Sequence, residues 1–145
     1  MKIAIGCDHR GFKLKEFLKE KLMEDFEVLD FGTFSEESTH YPIYAKKVAL
    51  AVSKKEADFG VLICATGIGM SIAANRIKGV RAAHVCSDEL VELSRRHNNA
   101  NIICFGSIYT DEETALRWVK NFISTPFEGG RHSIRVDMIE DVSDW

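Results

Sequence analysis

Phe59-Gly60-Val61-Leu62-Ile63-Cys64 runs straight into Ala65-Thr66-Gly67-Ile68-Gly69-Met70-Ser71, and the fold of the chain turns on this stretch. Its first half is apolar on both faces, as in the buried strands of a parallel sheet. Its second half breaks at two glycines and opens a helical pattern over Gly69–Ile77. The same alternation continues in both directions. Strand-like runs occupy Lys2–Gly6, Glu27–Phe31, Val80–Val85 and Asn101–Phe105. Between them Phe12–Met23 carries Leu14, Phe17, Leu18 and Leu22 at helical spacing, with lysines and glutamates opposite. Tyr41–Lys54 has Pro42 where a first-turn proline belongs, and Asp111–Ile123 opens on acidic residues that suit a helix N-terminus. Asp88–Arg96 and a last segment near Ser133–Val142, with Ile134, Met138 and Val142 four apart, complete the pattern.

The order β-α-β-α-β-α-β-α-β-α-α predicts an α/β fold, a Rossmann-like three-layer sandwich around a five-stranded parallel sheet. No linker, repeat or low-complexity stretch divides the sequence, so residues 1–145 are expected to form one domain. In such sheets ligands bind beyond the carboxyl ends of the strands. That rule selects Cys7–Gly11, Cys64–Ser71, Ser87–Glu89 and Gly106–Tyr109 for inspection.

Composition narrows the function classes. Apolar residues make up 46% of the 145, enough to exclude a disordered chain, and only 2 are proline, which excludes collagen-like repeats. The formal net charge of −3, with no basic block, argues against non-specific nucleic-acid binding. No window approaches the roughly 18 continuous apolar residues of a membrane span. Asp8 follows the first strand too closely for a signal-peptide core, so a cytoplasmic location is expected. The four cysteines, Cys7, Cys64, Cys86 and Cys104, show no C-x-x-C spacing and are expected to be reduced, with no metal bound. Cys7-x-His9 and His84-x-Cys86 are, in extended backbone, only pairs of side chains on one face.

Four groups of residues offer chemistry. In the glycine turn, consecutive N–H groups at a helix start can converge on a negative charge, and Gly67 and Gly69 permit a close approach. A dinucleotide fingerprint would need a third glycine where Ile72 stands. Gly6-Cys7-Asp8-His9-Arg10-Gly11 has the glycine spacing of a P-loop, but Phe12-Lys13 follows in place of Lys-Ser or Lys-Thr. There, Asp8 beside His9 suits proton transfer or hydroxyl binding, and it equally suits a helix cap. His97 and Asn98 close a helical stretch, where a histidine can be a mere dipole partner and an asparagine a C-cap. Arg131 and Arg135 would share one helix face, either as a phosphate clamp or as a solvated surface.

Taken in order, Gly6-Cys7-Asp8-His9, Gly32-Thr33, Tyr41-Pro42, Cys64 with Thr66-Gly67-Ile68-Gly69, Ser71-Ile72-Ala73-Ala74-Asn75, Ser94-Arg95-Arg96-His97-Asn98 and Glu128-Gly129-Gly130-Arg131-His132 resemble the type B ribose-5-phosphate isomerases. These sit within a wider sugar-phosphate isomerase family that includes galactose-6-phosphate isomerase. The resemblance implies a cofactor-free interconversion of D-ribose 5-phosphate and D-ribulose 5-phosphate through an enediolate, a step of the pentose phosphate pathway. Cys64 matches the family's base. A free thiol, ordinarily near a pKa of about 8.5, is a weak base at neutral pH, and a helix N-terminus favours its thiolate. Thr66 and the N–H groups of Gly67, Ile68, Gly69, Met70 and Ser71 would hold the oxyanion. His97, helped by Asp8, would open the sugar ring. His9, Arg131 and Arg135 would grip the phosphate, and Asn98 a sugar hydroxyl. Some relatives carry a glutamate base at the place of Met70, so this chain goes with the cysteine form. Ile108 stands where many relatives have an arginine, which removes one expected phosphate contact. The resemblance also implies a homodimer or homotetramer with shared sites. A six-carbon substrate such as allose or galactose 6-phosphate, or a sugar-phosphate-binding module without catalysis, are the alternatives it leaves.

Overall fold

A computed structural model describes residues 1–141 of the chain. Five parallel strands, β1 (Lys2–Cys7), β2 (Glu27–Asp30), β3 (Phe59–Cys64), β4 (Ala82–His84) and β5 (Ile102–Gly106), form one sheet in the order β2-β1-β3-β5-β4. Six helices connect and follow them: α1 (Phe12–Leu22), α2 (Tyr41–Ser53), α3 (Ile68–Ala74), α4 (Asp88–Arg96), α5 (Glu112–Ser124) and α6 (Arg131–Glu140). The fold is the α/β sandwich that the sequence pattern predicts.

Alternation along each strand sorts the core into two halves. On one face Ile3, Ile5, Val61, Ile63, Ile103 and Phe105 meet α1, α4 and α5 through Leu14, Leu18, Val91, Trp118 and Phe122. On the other, Ala4, Leu62, Cys64, Ile102 and Cys104 meet α2 and α3 through Ala45, Val48, Met70 and Ala74. Cys64 therefore points to the α2–α3 side and Cys7 to the opposite side. Because β1 lies beside β3 while the chain first departs to β2, the switch point falls between the ends of β1 and β3.

Several boundaries shift from the sequence reading. The run Val80–Val85 contributes only Ala82–His84 to the sheet, since Arg81 serves instead as acceptor for the N–H groups of Asn101 and Ile102. The glycine-turn helix begins at Ile68 and ends at Ala74. The last helix starts at Arg131, two residues before the expected Ser133, and the expected Val142 lies outside the described residues. Its spaced apolar residues do not form its buried face. Ile134 and Met138 are 66% and 59% exposed, whereas His132 and Val136 pack inward.

Candidate active site

Helix α3 is set by Gly67, whose φ of +82° is open to glycine and costly for other residues. A Cβ there would also lie 2.6 Å from the Phe105 carbonyl carbon, in the backbone of β5. The following loop closes the fit from the other side: Ser107 donates its N–H to the Cys64 carbonyl at 2.9 Å and Ile108 to that of Ala65 at 3.2 Å. Gly67→Ala is expected to lower the melting temperature by several degrees, since a left-handed alanine alone costs about 1–2 kcal/mol. Differential scanning calorimetry checks it.

The turn's donors divide unequally. Gly67 N–H is directed at Cys64 Sγ at 3.1 Å, and Ile68 N–H at Thr66 Oγ1 at 3.2 Å. Ser71 N–H closes on to the Gly67 carbonyl, while the Ser71 hydroxyl turns back on Ile68. The N–H groups of Gly69 and Met70 keep no partner among the described residues, and so only these two of the five expected donors are open to a ligand. Met70 itself is fully buried, so its side chain belongs to the core beneath the turn. Gly69 has a further reason to be glycine: a Cβ there would meet the Tyr41 ring at 2.7 Å. Cys64, 5% exposed, lies at the base of this cradle. His84 Nε2 contacts the Thr66 carbonyl at 2.8 Å; with a carbonyl as acceptor, that nitrogen carries the hydrogen and steadies the loop.

Asp8 and His9 stand at the same edge of the sheet, the one formed by the carboxyl ends of its strands. Asp8 donates its N–H to the Ile63 carbonyl, one residue from Cys64. Its buried carboxylate accepts from the N–H groups of Arg10 at 3.0 Å and Gly11 at 3.3 Å, so the capping alternative for Asp8 is present. His9 Nδ1 accepts from Thr39 N–H at 3.2 Å, which fastens the loop after β2 over this edge. Thr39 Oγ1 in turn shares a hydrogen with the Tyr44 hydroxyl at 2.9 Å. Ile108 is exposed, also at this edge.

His97, Asn98, Arg131 and Arg135 lie at the other edge, toward the amino ends of the strands. Helix α4 runs back against the strands, and its last turn reaches the start of β3, where Arg95 stacks over Phe59 at 4.9 Å. Since β3 pairs Gly60 with Ile102 and Cys64 with Gly106, its two ends, five residues apart, are separated by roughly 16 Å. One chain therefore does not bring His97 to its own Cys64.

Around His97 the structure adds partners that sequence reading missed. The His132 ring stacks on it with centroids 4.3 Å apart and planes at 12°. Glu128 reaches both rings, its Oε2 lying 3.6 Å from His97 Nε2 and 3.4 Å from His132 Nε2. Its other oxygen is held by Arg96 at 2.6 Å, which keeps the carboxyl below the usual range. Burial, with the charges of His97 and Arg131, holds His132 below an ordinary imidazole. The signal was present: Glu128 and His132 are four apart, the spacing that drew attention to Arg131 and Arg135. Arg131 opens α6 and Arg135 follows one turn later, so the pair shares a face as expected.

No helix among the described residues is long and apolar enough to cross a membrane. A model of the ribose/galactose isomerase family matches residues 3–139. Ribose-5-phosphate isomerase B of Escherichia coli K12 is 50% identical over 140 residues, covering 95% of this chain and 93% of that protein. Among solved structures, ribose-5-phosphate isomerase B of Clostridium thermocellum superposes with a TM-score of 0.96 at 43% identity, covering 99% of this chain and 98% of the other. That of Mycoplasma genitalium, with ribulose 5-phosphate bound, superposes with a TM-score of 0.93 at 39% identity, covering 99% and 96%.

Proposed function

The chain belongs to the ribose/galactose isomerase family and is an aldose–ketose isomerase, and on that premise we propose that it interconverts D-ribose 5-phosphate and D-ribulose 5-phosphate at a site shared between two copies. The observation that carries this reading is the division of the machinery between opposite edges of one sheet. Cys64, the open N–H pair, Asp8 and His9 form one half. His97, Asn98, Arg131 and Arg135 form the other. A homo-oligomer that sets one edge against its partner's opposite edge unites them, with every residue supplied by the same sequence.

In that site the ring form binds with its phosphate between His9 and the arginine pair, whose guanidinium groups suit phosphate geometry. His97 and Asp8 move the protons that open the ring. The Cys64 thiolate then takes the proton from C2 of the open aldose and returns it to C1, while the hydroxyl proton passes between the two oxygens. No electron acceptor is needed. The intermediate is an enediolate, and its negative oxygen meets the N–H groups of Gly69 and Met70, donors already fixed by the helix before the charge appears. Thr66 is engaged by Ile68 N–H and by His84, which makes it a support of the cradle with its hydroxyl still able to donate.

Purified protein given ribose 5-phosphate is expected to form ribulose 5-phosphate and to exchange the C2 proton in deuterated water. Allose 6-phosphate run in parallel sets the preference for chain length. Absence of both conversion and exchange overturns the reading.

Alkylation provides a second prediction. Burial pushes the Cys7 thiol up to about 12 and raises Cys104 as well, and a thiol held protonated is a poor nucleophile. Iodoacetamide at neutral pH is expected to leave these two unlabelled. Exposed Cys86 should label freely, and label on Cys64 should accumulate in step with loss of activity, with ribose 5-phosphate protecting it. Peptide mass spectrometry gives the order.

A further inference from the structure

Among the described residues, one group of three side chains outside the cysteine cradle offers metal-binding atoms at ligand spacing: His97 Nε2, His132 Nε2 and a Glu128 oxygen, all within 4.8 Å of one another. Bonds of about 2.0–2.2 Å from a tetrahedral zinc ion place neighbouring ligand atoms about 3.3–3.6 Å apart. The two nitrogen-to-Oε2 distances, 3.6 and 3.4 Å, fall in that interval. Arg96 grips Oε1 and leaves Oε2 turned to the rings, the kind of outer contact that orients a ligating carboxylate.

We propose that His97, Glu128 and His132 form a reversible binding site for a divalent transition-metal ion, zinc above all, and that its occupancy stops turnover. The inhibitory half rests on the reading of His97 as the ring-opening group, because a nitrogen bound to metal cannot carry a proton. Chelation requires one movement. The two rings are nearly parallel, so their lone pairs converge only if one ring tilts off the stack. His132 is buried and His97 is partly exposed at a helix end, which makes His97 the ring that moves. Three protein ligands leave a fourth position open, as in zinc sites that exchange a water or an anion. Arg131 and Arg135, in the same turns as His132, oppose a cation and favour an anion in that fourth place. The ion is therefore one that comes and goes and has no part in holding the fold.

Zinc titration against a chromophoric chelator tests the site directly, using a Cys86→Ser chain so that the exposed thiol does not compete. One zinc per chain is expected, with affinity at least about tenfold weaker in Glu128→Gln and in His132→Ala. Glu128→Gln keeps the shape of a partly exposed side chain, so folding does not confound it. Failure to saturate, or unchanged affinity in both variants, overturns the site. Zinc is also expected to halt isomerisation and excess chelator to restore it. Stoichiometric zinc with full activity overturns the inhibitory half and the role of His97, while leaving the site. A chain that binds zinc but converts no sugar phosphate in its absence overturns the proposed reaction instead.

Discussion

Cys64→Ala is expected to lower kcat by about a thousandfold or more, within the range that positioned acid–base groups contribute, while KM changes little. The split follows from where the contacts lie. The groups proposed to hold phosphate and hydroxyls are His9, Asn98, Arg131 and Arg135, and none depends on the sulfur. The folded chain should tolerate the change: the sulfur is a single small atom at the end of β3, and its loss frees only Gly67 N–H, which sits beside a solvent-facing cradle. Proton exchange at C2 must fall in parallel with turnover, because both need the same base. Ring opening must not, since it is assigned to His97 and Asp8. Progress curves, deuterium incorporation and a thermal melt on the one variant separate these. Substantial exchange surviving in Cys64→Ala would remove the thiol from the mechanism.

The sheet was legible because periodicity reports burial, and the central strands β1, β3 and β5 are buried on both faces while β2 and β4 at the sides are only partly covered. Even β4, reduced to three residues, was visible as an apolar run. At its start Arg81 is held through its carbonyl by the N–H groups of Asn101 and Ile102 and through its side chain by Glu140 and the Asn99 carbonyl, contacts up to 59 residues away that no local window contains. In the glycine turn the residue types suited an anion cradle and a plain strand-to-helix turn alike. Which donors stay open was decided by Cys64 Sγ, Thr66 Oγ1 and the Gly67 carbonyl, acceptors that only the folded turn brings close. The apolar spacing in α6 misled because Ile134 and Met138 face outward in the single chain. An apolar stripe does not say whether its partner is the chain's own core or another surface. The separation of Cys64 from His97 followed from topology: a helix returning antiparallel to the strands must end at the opposite edge from the loop that opens it.

That separation yields a second large effect. Cys64→Ala and His97→Asn, each nearly inactive alone, are expected to regain activity when unfolded together and refolded as a mixture. For sites shared by pairs of copies, random pairing at equal amounts makes half of the pairs mixed. In each of these one site receives both substitutions and the other receives an intact Cys64 from one copy and an intact His97 from its partner. About a quarter of the wild-type sites are thus restored. If each copy instead assembled a site from its own residues, every site would carry one substitution and the mixture would stay inactive. Mixing without unfolding should restore less, at the rate at which copies exchange. The restored activity should titrate with the ratio of the two variants and peak at equal amounts, a dependence that contamination with wild-type protein would not reproduce. Recovery near a quarter supports the edge-to-edge assembly; no recovery across all ratios, with refolding verified by circular dichroism, overturns it.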